Sequence, residues 1–268
     1  MKISILGCGW LGLPLAKRLV EEHHSVKGST TTRHKMSSLT SGGISPYYIK
    51  LYEEGVEGDL SAFLSGADCV IVDIPPGIRT DPDSNFVGKI GRLKKYLEQT
   101  SAKKVIYISS TSVFKNSAEI REYTESDLPD AENTAGSQLI SAENIIKSGN
   151  YKSVILRFGG LIGAGRHPVN YLSNQKNIGD PGAPVNLIHQ QDCIHLIKAI
   201  IESDFEAGVI NGVFPEHPSK KEYYTKIAGM RNLALPEFDD SSTSKGKIVS
   251  SEVLGKMIDF RFSEGIWN

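Results

Sequence analysis

A short apolar run, Ile3-Ser4-Ile5-Leu6, breaks off at three glycines spaced G-x-G-x-x-G: Gly7, Gly9 and Gly12. Leu11, Leu15 and Leu19 then recur every four residues, the period of one helical face. A strand that turns through glycine straight into a helix leaves few architectures open. The first glycine permits the turn, the second lets the backbone approach a ligand closely, and the third lets helix and strand pack without an intervening side chain. Unpaired N–H groups and the helix dipole favour an anion at the same point. The expectation is a dinucleotide whose pyrophosphate sits against Gly7, Gly9, Trp10, Leu11 and Gly12. A glycine turn without a ligand is the alternative.

The rest of the chain alternates strand and helix. Further strands are expected at residues 25–29, 46–51, 67–74, 104–109, 153–158, 185–189 and 209–214. Residues 67–74 are almost continuously apolar, as in a strand buried on both faces of a parallel sheet. Between strands, Phe86, Ile90, Leu93 and Leu97 form a core-facing helical stripe, as do Leu139, Ala142 and Ile146. Helices are also expected at 60–64, 192–202 and 220–228. This order predicts an α/β fold, a doubly wound parallel sheet with a small C-terminal substrate lobe. Residues 1–165, rejoined by 184–213, would form the dinucleotide-binding domain, and 166–183 with 214–268 the lobe. Residues 159–168 are expected as a glycine-dense loop and 239–251 as an open segment.

Ligands of such sheets bind outside the carboxyl ends of the strands. That rule nominates Ile74, Pro75 and Pro76 after the fourth strand, Ser109 after the fifth, and Gly160 after the sixth as cofactor contacts. The second strand ends in Ser29-Thr30-Thr31-Thr32-Arg33, without the acid that would bond the ribose of NAD. Hydroxyls and a guanidinium suit a 2′-phosphate, so Ser29, Thr30, Thr31 and Arg33 favour NADP over NAD. For proton chemistry the candidates are Ser110 at the strand end, His167, which titrates near neutrality, and Tyr171. Each has a plainer alternative: Ser110 as a local cap, His167 as a histidine held before a proline. His189 and Asp192 are expected to cap the helix that follows them.

Formal net charge is −1, which gives no electrostatic case for nucleic acid or an anionic membrane. Apolar residues make up 39% of the chain, and no stretch approaches a membrane span of about twenty apolar residues. Cys8, Cys69 and Cys193 are far apart and read as buried thiols of a reducing compartment. The expectation is a cytoplasmic protein with a small-molecule partner. No close ligand spacing supports a metal site.

Four segments occur in one order: Gly7-x-Gly9-Trp10-Leu11-Gly12, Ser109-Ser110-Thr111-Ser112-Val113-Phe114, the run from Arg157-Phe158-Gly159-Gly160 to Arg166-His167-Pro168, and Val185-Asn186-Leu187-Ile188-His189. That order resembles the extended short-chain dehydrogenase/reductases, the epimerase/dehydratase-like family with a Rossmann fold. It is most similar to the atypical YeeZ-like subgroup, and the likeness extends to Lys245-Gly246-Lys247-Ile248 near the end. The resemblance implies an NAD(P)-dependent oxidoreductase with an undefined substrate, and it allows a homodimer. Ordinary members carry Tyr and Lys four residues apart on the helix after the fifth strand. Here Ala135 and Leu139 stand at those positions, and none of the ten tyrosines has a lysine four residues later. Ser110 matches the family's serine. The reading is a reductase of a small polar carbonyl or imine. An NADP-binding sensor without turnover and a sugar-nucleotide-type epimerase or dehydratase are the alternatives.

Overall fold

The computed structural model describes residues 1–77 and 84–267. The N-terminal apolar run forms β1 (Lys2–Leu6), buried from its second residue onward. Helix α1 (Gly12–Glu21) follows and buries Leu15, Ala16 and Leu19. Strand β2 (Ser25–Thr30) pairs in parallel with β1, Ile3 opposite Val26. A 3-10 turn at Arg33–Lys35 leads into α2 (Met36–Ser41) and then β3 (Ser45–Tyr48). The short antiparallel pair β4 (Lys50–Leu51) and β5 (Val56–Glu57) precedes α3 (Leu60–Leu64). Asp59 caps α3 by accepting the Ala62 N–H at 2.8 Å.

Strand β6 (Cys69–Val72) is buried at all four positions and runs parallel to β1 on its other side. Helix α4 (Phe86–Leu97) turns Phe86, Ile90, Leu93 and Leu97 into the core, and Asn85 caps it through the Gly88 N–H. Then come β7 (Lys104–Ser110), β8 (Arg121–Tyr123) and α5 (Thr134–Lys147), the last capped by Asn133 on the Gly136 N–H. The chain continues through β9 (Lys152–Phe158), β10 (Gly160–Ile162), α6 (Val169–Leu172), β11 (Leu187–His189) and α7 (Gln190–Glu202). It ends with β12 (Gly208–Gly212), α8 (Lys220–Met230) and β13 (Lys247–Val249).

The main sheet has seven strands in the order β12-β9-β7-β6-β1-β2-β3. Counting outward from β1, the chain first adds β2 and β3, then reverses and adds β6, β7, β9 and β12. That reversal makes the sheet doubly wound and puts its switch point beside β1, where the glycine turn leaves the sheet. The expected fold class is the observed one. Each fully buried Leu, Ile or Val in such a core contributes roughly 1.5–3 kcal/mol over exposure.

The chain divides into two compact units. The first comprises Met1–Ser109, Asn133–Leu156 and Ile200–Val209; the second comprises Ser110–Glu132, Arg157–Ala199 and Ile210–Asn268. In the second, Ile162, Val169, Leu187, Tyr223 and Ile227 share a core with Ile266. Two expected loops carry strands there. Gly160–Ile162 pairs with Leu187–His189, and Lys247–Val249 pairs with Arg121–Tyr123, both in parallel. Three-residue strands show no readable alternation, and their partners lie far away in sequence. Asp192 lies inside the first turn of α7, and its carboxylate accepts the Ser263 N–H at 2.7 Å and the Ser263 hydroxyl at 2.9 Å. Its main visible task is therefore to hold the C-terminal tail. Among the described residues no helix is long and apolar enough to cross a membrane.

Candidate functional site

Each glycine of the N-terminal turn meets a different physical demand. Gly7 has φ of +110°, and a Cβ there would lie 2.1 Å from the Asp73 carbonyl oxygen. A Cβ on Gly12 would lie 2.1 Å from the Gly7 carbonyl oxygen. Both positions are closed by backbone, so they accept only glycine. Gly9 is the opposite case, with nothing within 4 Å of its Cβ position. The middle glycine faces open space. Ser29 supports the turn: its hydroxyl accepts the Gly7 N–H at 2.9 Å, and its carbonyl accepts the Cys8 N–H at 2.8 Å. Leu11, at the N-cap of α1, makes no side-chain cap bond, and the first turn of the helix carries no acid.

Beside this turn lies a cavity of about 630 Å³, within the range of roughly 300–1,000 Å³ usual for small-molecule sites. Gly7, Gly9, Ser29, Thr30, Thr31, Ile74 and Pro75 all line it, as the sequence reading nominated. Trp10, Leu11, Gly12, Pro76 and Arg33 stand outside the lining. Leu11 is buried, and Gly12 is sealed against the turn. The Arg33 guanidinium lies 3.1 Å from Glu57 and stacks 4.0 Å from the centre of the Tyr48 ring. Lys35, two residues on, lines the cavity instead, together with Lys50 and Lys89. The Thr-Thr-Arg-His-Lys run carried that signal, because a 3-10 turn rotates successive side chains by about a third of a circle. Lys89 donates to the Ser84 hydroxyl at 2.7 Å.

One lining group has the wrong charge for a phosphate. Asp73 also faces the cavity, with its Oδ2 3.2 Å from the Cβ position of Gly12. Burial, with Asp73 beside it, pushes the Cys8 thiol up to about 12, so this thiol stays protonated and inert. Among the described residues, three lysines and one carboxylate line the cavity. Those donors and the open Gly9, at the entry to α1, fit a dinucleotide.

The remaining candidates are spread differently. Ser109 is buried, and its hydroxyl donates to Glu143 Oε1 at 2.7 Å; Glu143 is 1% exposed. Ser110 opens a 3-10 turn, Thr111–Val113, and its Oγ accepts the Ser112 N–H at 3.2 Å and the Ser112 hydroxyl at 3.0 Å. Gly160 lies in β10, and its N–H donates to the Asn186 carbonyl at 2.7 Å. Tyr171 is 81% exposed.

His167 is 2% exposed and has partners at both ring nitrogens. Nδ1 accepts the Val169 N–H at 3.1 Å, which leaves the proton on Nε2, 3.0 Å from the Tyr223 hydroxyl. The Tyr223 hydroxyl in turn donates to the Ile266 carbonyl at 2.7 Å. Burial, helped by the Arg231 charge, lowers the His167 pKa to about 4, so the ring is neutral at pH 7. Ala135 and Leu139 occupy the first turns of α5, where Leu139 is buried. Among the described residues no cluster of three His, Cys, Asp or Glu side chains could hold a metal.

No family model matches the chain. It is 29% identical to Protein YeeZ of Escherichia coli K12 over 265 residues, covering 97% of this chain and 95% of that one. Among solved structures it resembles UDP-glucuronic acid 4-epimerase from Bacillus cereus in complex with NAD, at 19% identity and a TM-score of 0.81, over 100% of this chain and 93% of the other. It also resembles MoeE5 in complex with UDP-glucose and NAD, at 18% identity and a TM-score of 0.78, over 100% and 95% of the two chains. A third is a short-chain dehydrogenase/reductase superfamily protein from Agrobacterium tumefaciens with bound NAD, at 17% identity and a TM-score of 0.78, over 99% and 94%.

Proposed function

We propose that this chain, 29% identical to YeeZ and folded like a short-chain dehydrogenase/reductase, is an atypical extended member of that family and an NAD(P)-dependent oxidoreductase acting on a small polar carbonyl or imine. The observation that carries this reading is the cavity against the glycine turn, where Gly9 alone of the three glycines faces open space. The open side of the turn at Gly9 takes the pyrophosphate, at the end of the cavity nearest α1. Thr30, Thr31 and Lys35 take the adenosine ribose and its 2′-phosphate, which is the basis for preferring NADP; Ile74 and Pro75 flank the dinucleotide. The cofactor supplies the hydride when bound, and this chain's residues bind it, orient it and keep water away. Segments 166–183 and 214–268 are assigned to substrate recognition.

Ser110 is cast as a hydrogen-bond donor that polarises the substrate, since a serine hydroxyl is a poor acid. His167 is assigned to the fold: it is buried, neutral and committed at both nitrogens. With Ala135 and Leu139 in place of the usual pair, these assignments favour slow turnover. They also supply the one observation that supports a second reading, a cofactor-binding sensor without turnover. Two experiments separate the readings. Separate titrations with NADPH and NADH should show tighter binding of NADPH; binding of neither ends both readings. C4-deuterated NADPH is then offered to a panel of carbonyls and imines that includes UDP-sugars, since MoeE5 is known in complex with UDP-glucose. Deuterium in product establishes the oxidoreductase, and tight binding with no transfer establishes the sensor.

A further inference from the structure

The Lys245-Gly246-Lys247-Ile248 stretch has no task in the cofactor reading. In the second unit, however, three of the four sequence motifs converge on Lys247. Asn186 donates its Nδ2 to the Lys247 carbonyl at 2.8 Å, and its Oδ1 accepts the Val249 N–H at 2.7 Å. The carbonyl of the same Asn186 accepts the Gly160 N–H at 2.7 Å. Asn186, itself held by Gly160, thus fixes the backbone of β13. Its side chain meets the third: the Lys247 ammonium donates to the carbonyl of Phe114, the residue that closes the turn opened by Ser110.

The charges around that ammonium are already committed elsewhere. Asp130 is near, but its Oδ1 accepts the Lys115 N–H at 2.9 Å and its Oδ2 accepts the Tyr123 hydroxyl at 2.9 Å. Lys115 pairs with Glu132 at 3.6 Å. Arg121, opposite Lys247 in the β8 ladder, is paired with Asp127. Lys247 is half-buried, and among the described residues its ammonium has one hydrogen-bond partner, a neutral carbonyl, which leaves two N–H donors unspent. Burial lowers its pKa to about 8 against the opposing pull of Asp130, so it remains charged at neutral pH. A half-desolvated cation without a bonded carboxylate is costly, and a neutral donor could hold the Phe114 carbonyl just as well. The charge needs another purpose.

Resting on the oxidoreductase reading, we propose that Lys247 is the substrate-anchoring cation: its ammonium takes an anionic group, carboxylate or phosphate, of the molecule that Ser110 polarises. The site offers a backbone held by Asn186 and an ammonium bonded to the residue that closes the Ser110 turn.

The test uses the full chain with lysine Cε labelled with carbon-13, saturated with NADPH. Sodium pyruvate and sodium phosphate are titrated separately at constant ionic strength, with chloride as the control. The Lys247 signal, assigned by its loss in Lys247→Met, should move saturably with one of the two anions, and which one does so identifies the group. Lys247→Met should weaken that binding roughly tenfold or more, the usual cost of one charge-assisted contact, whereas Lys247→Arg should retain most of it. A Lys247 signal unmoved by either anion, a shift that never saturates, or binding unaffected by Lys247→Met overturns the proposal. Should Lys247→Met fail to fold, the wild-type titration and Lys247→Arg decide. NADPH affinity is measured in parallel and should be the same in Lys247→Met. If wild-type protein binds no cofactor, the oxidoreductase reading fails, while the anion titration of the unloaded chain still reports on Lys247.

Discussion

Two glycine-rich stretches invite the same interpretation and behave differently. Around Gly7, Gly9 and Gly12, the backbone closes on the first and third glycines and leaves the middle one open, the packing that the spacing announces. Around residues 159–168, the glycines surround a histidine that the spacing casts as a proton donor, yet the ring is sealed into a core. The difference is one of reach. Gly7 and Gly12 answer to each other and to Asp73, all within one strand–turn–helix module. His167 answers to Tyr223 and, through it, to Ile266, partners 56 and 43 residues apart along successive links. Local motifs reveal local constraints. A side chain's protonation state belongs to whatever packs on it, and the motif does not contain that information.

The largest expected effect tests the local half. Gly7→Ala places a Cβ 2.1 Å from the Asp73 carbonyl in a conformation at φ of +110°, whereas a Cβ on Gly9 meets nothing within 4 Å. Gly7→Ala should cost more than about 3 kcal/mol in chemical denaturation, and Gly9→Ala less than about 1 kcal/mol. Gly9→Val should in turn abolish cofactor binding without loss of fold, because the branched side chain fills the approach of the pyrophosphate. Equal stability of the two alanine variants would erase the distinction drawn between closed and open glycines.

The next effect tests the non-local half. His167 has a pKa near 4 in the folded chain against an ordinary value of 6.5. Between these values the unfolded chain holds more protons, so stability must fall as pH drops from about 6.5 toward 4. The loss attributable to His167 reaches about 3 kcal/mol at the low end. His217, whose pKa burial also lowers, contributes in the same direction. In His167→Phe this part of the pH dependence should flatten. At pH 7 the variant should be less stable by about 1–3 kcal/mol, since the Val169 N–H loses its acceptor. Its NADPH affinity should match wild type. An undiminished slope between pH 6.5 and 4 would show that His167 is solvated in the folded protein, which would restore it as a candidate donor.

The same distinction explains what could be read in advance. The α/β order, the doubly wound sheet and the stripe Phe86, Ile90, Leu93, Leu97 were legible because hydrophobic period and glycine spacing record short-range geometry. The strands Gly160–Ile162 and Lys247–Val249 were not, because each is three residues long and pairs with a distant partner. Within the cavity, Gly9, Ser29 and Thr30 could be named, but Lys50, Lys89 and Asp73 could not. Those three reach the cavity from separate elements, and only the folded sheet brings them together.

A smaller effect separates two neighbouring cations. Lys35 lines the cavity, so in the NADP reading Lys35→Ala should weaken NADPH roughly tenfold, one charge-assisted contact, and leave NADH nearly unchanged. Fluorescence titration with both cofactors reads this directly. Equal losses for both would assign Lys35 to the pyrophosphate or to the fold, and the preference for NADP would lose its support.

The smallest effect is expected at Arg33, the residue that the sequence alone favours for the 2′-phosphate. Its side chain is 72% exposed, pairs with Glu57 at 3.1 Å and lies over the Tyr48 ring. An exposed ion pair of this kind is worth about 0–1 kcal/mol, so Arg33 is only weakly held. To reach a phosphate, however, it must give up both partners, and Glu57 would be left beside the incoming negative charge. The net gain from Arg33 should therefore be less than that of an unencumbered guanidinium. Arg33→Ala should lower NADPH affinity by no more than about threefold, against roughly tenfold for Lys35→Ala. The double variant Arg33→Ala with Glu57→Gln sharpens the point, because removing the competing carboxylate should recover the small loss. A tenfold or greater loss in Arg33→Ala, specific to NADPH, would mean that the guanidinium swings from Glu57 to the cofactor on binding. The spacing of the sequence would then have identified the bound state rather than the free one, and the contrast between local and distant constraints would need redrawing at this residue.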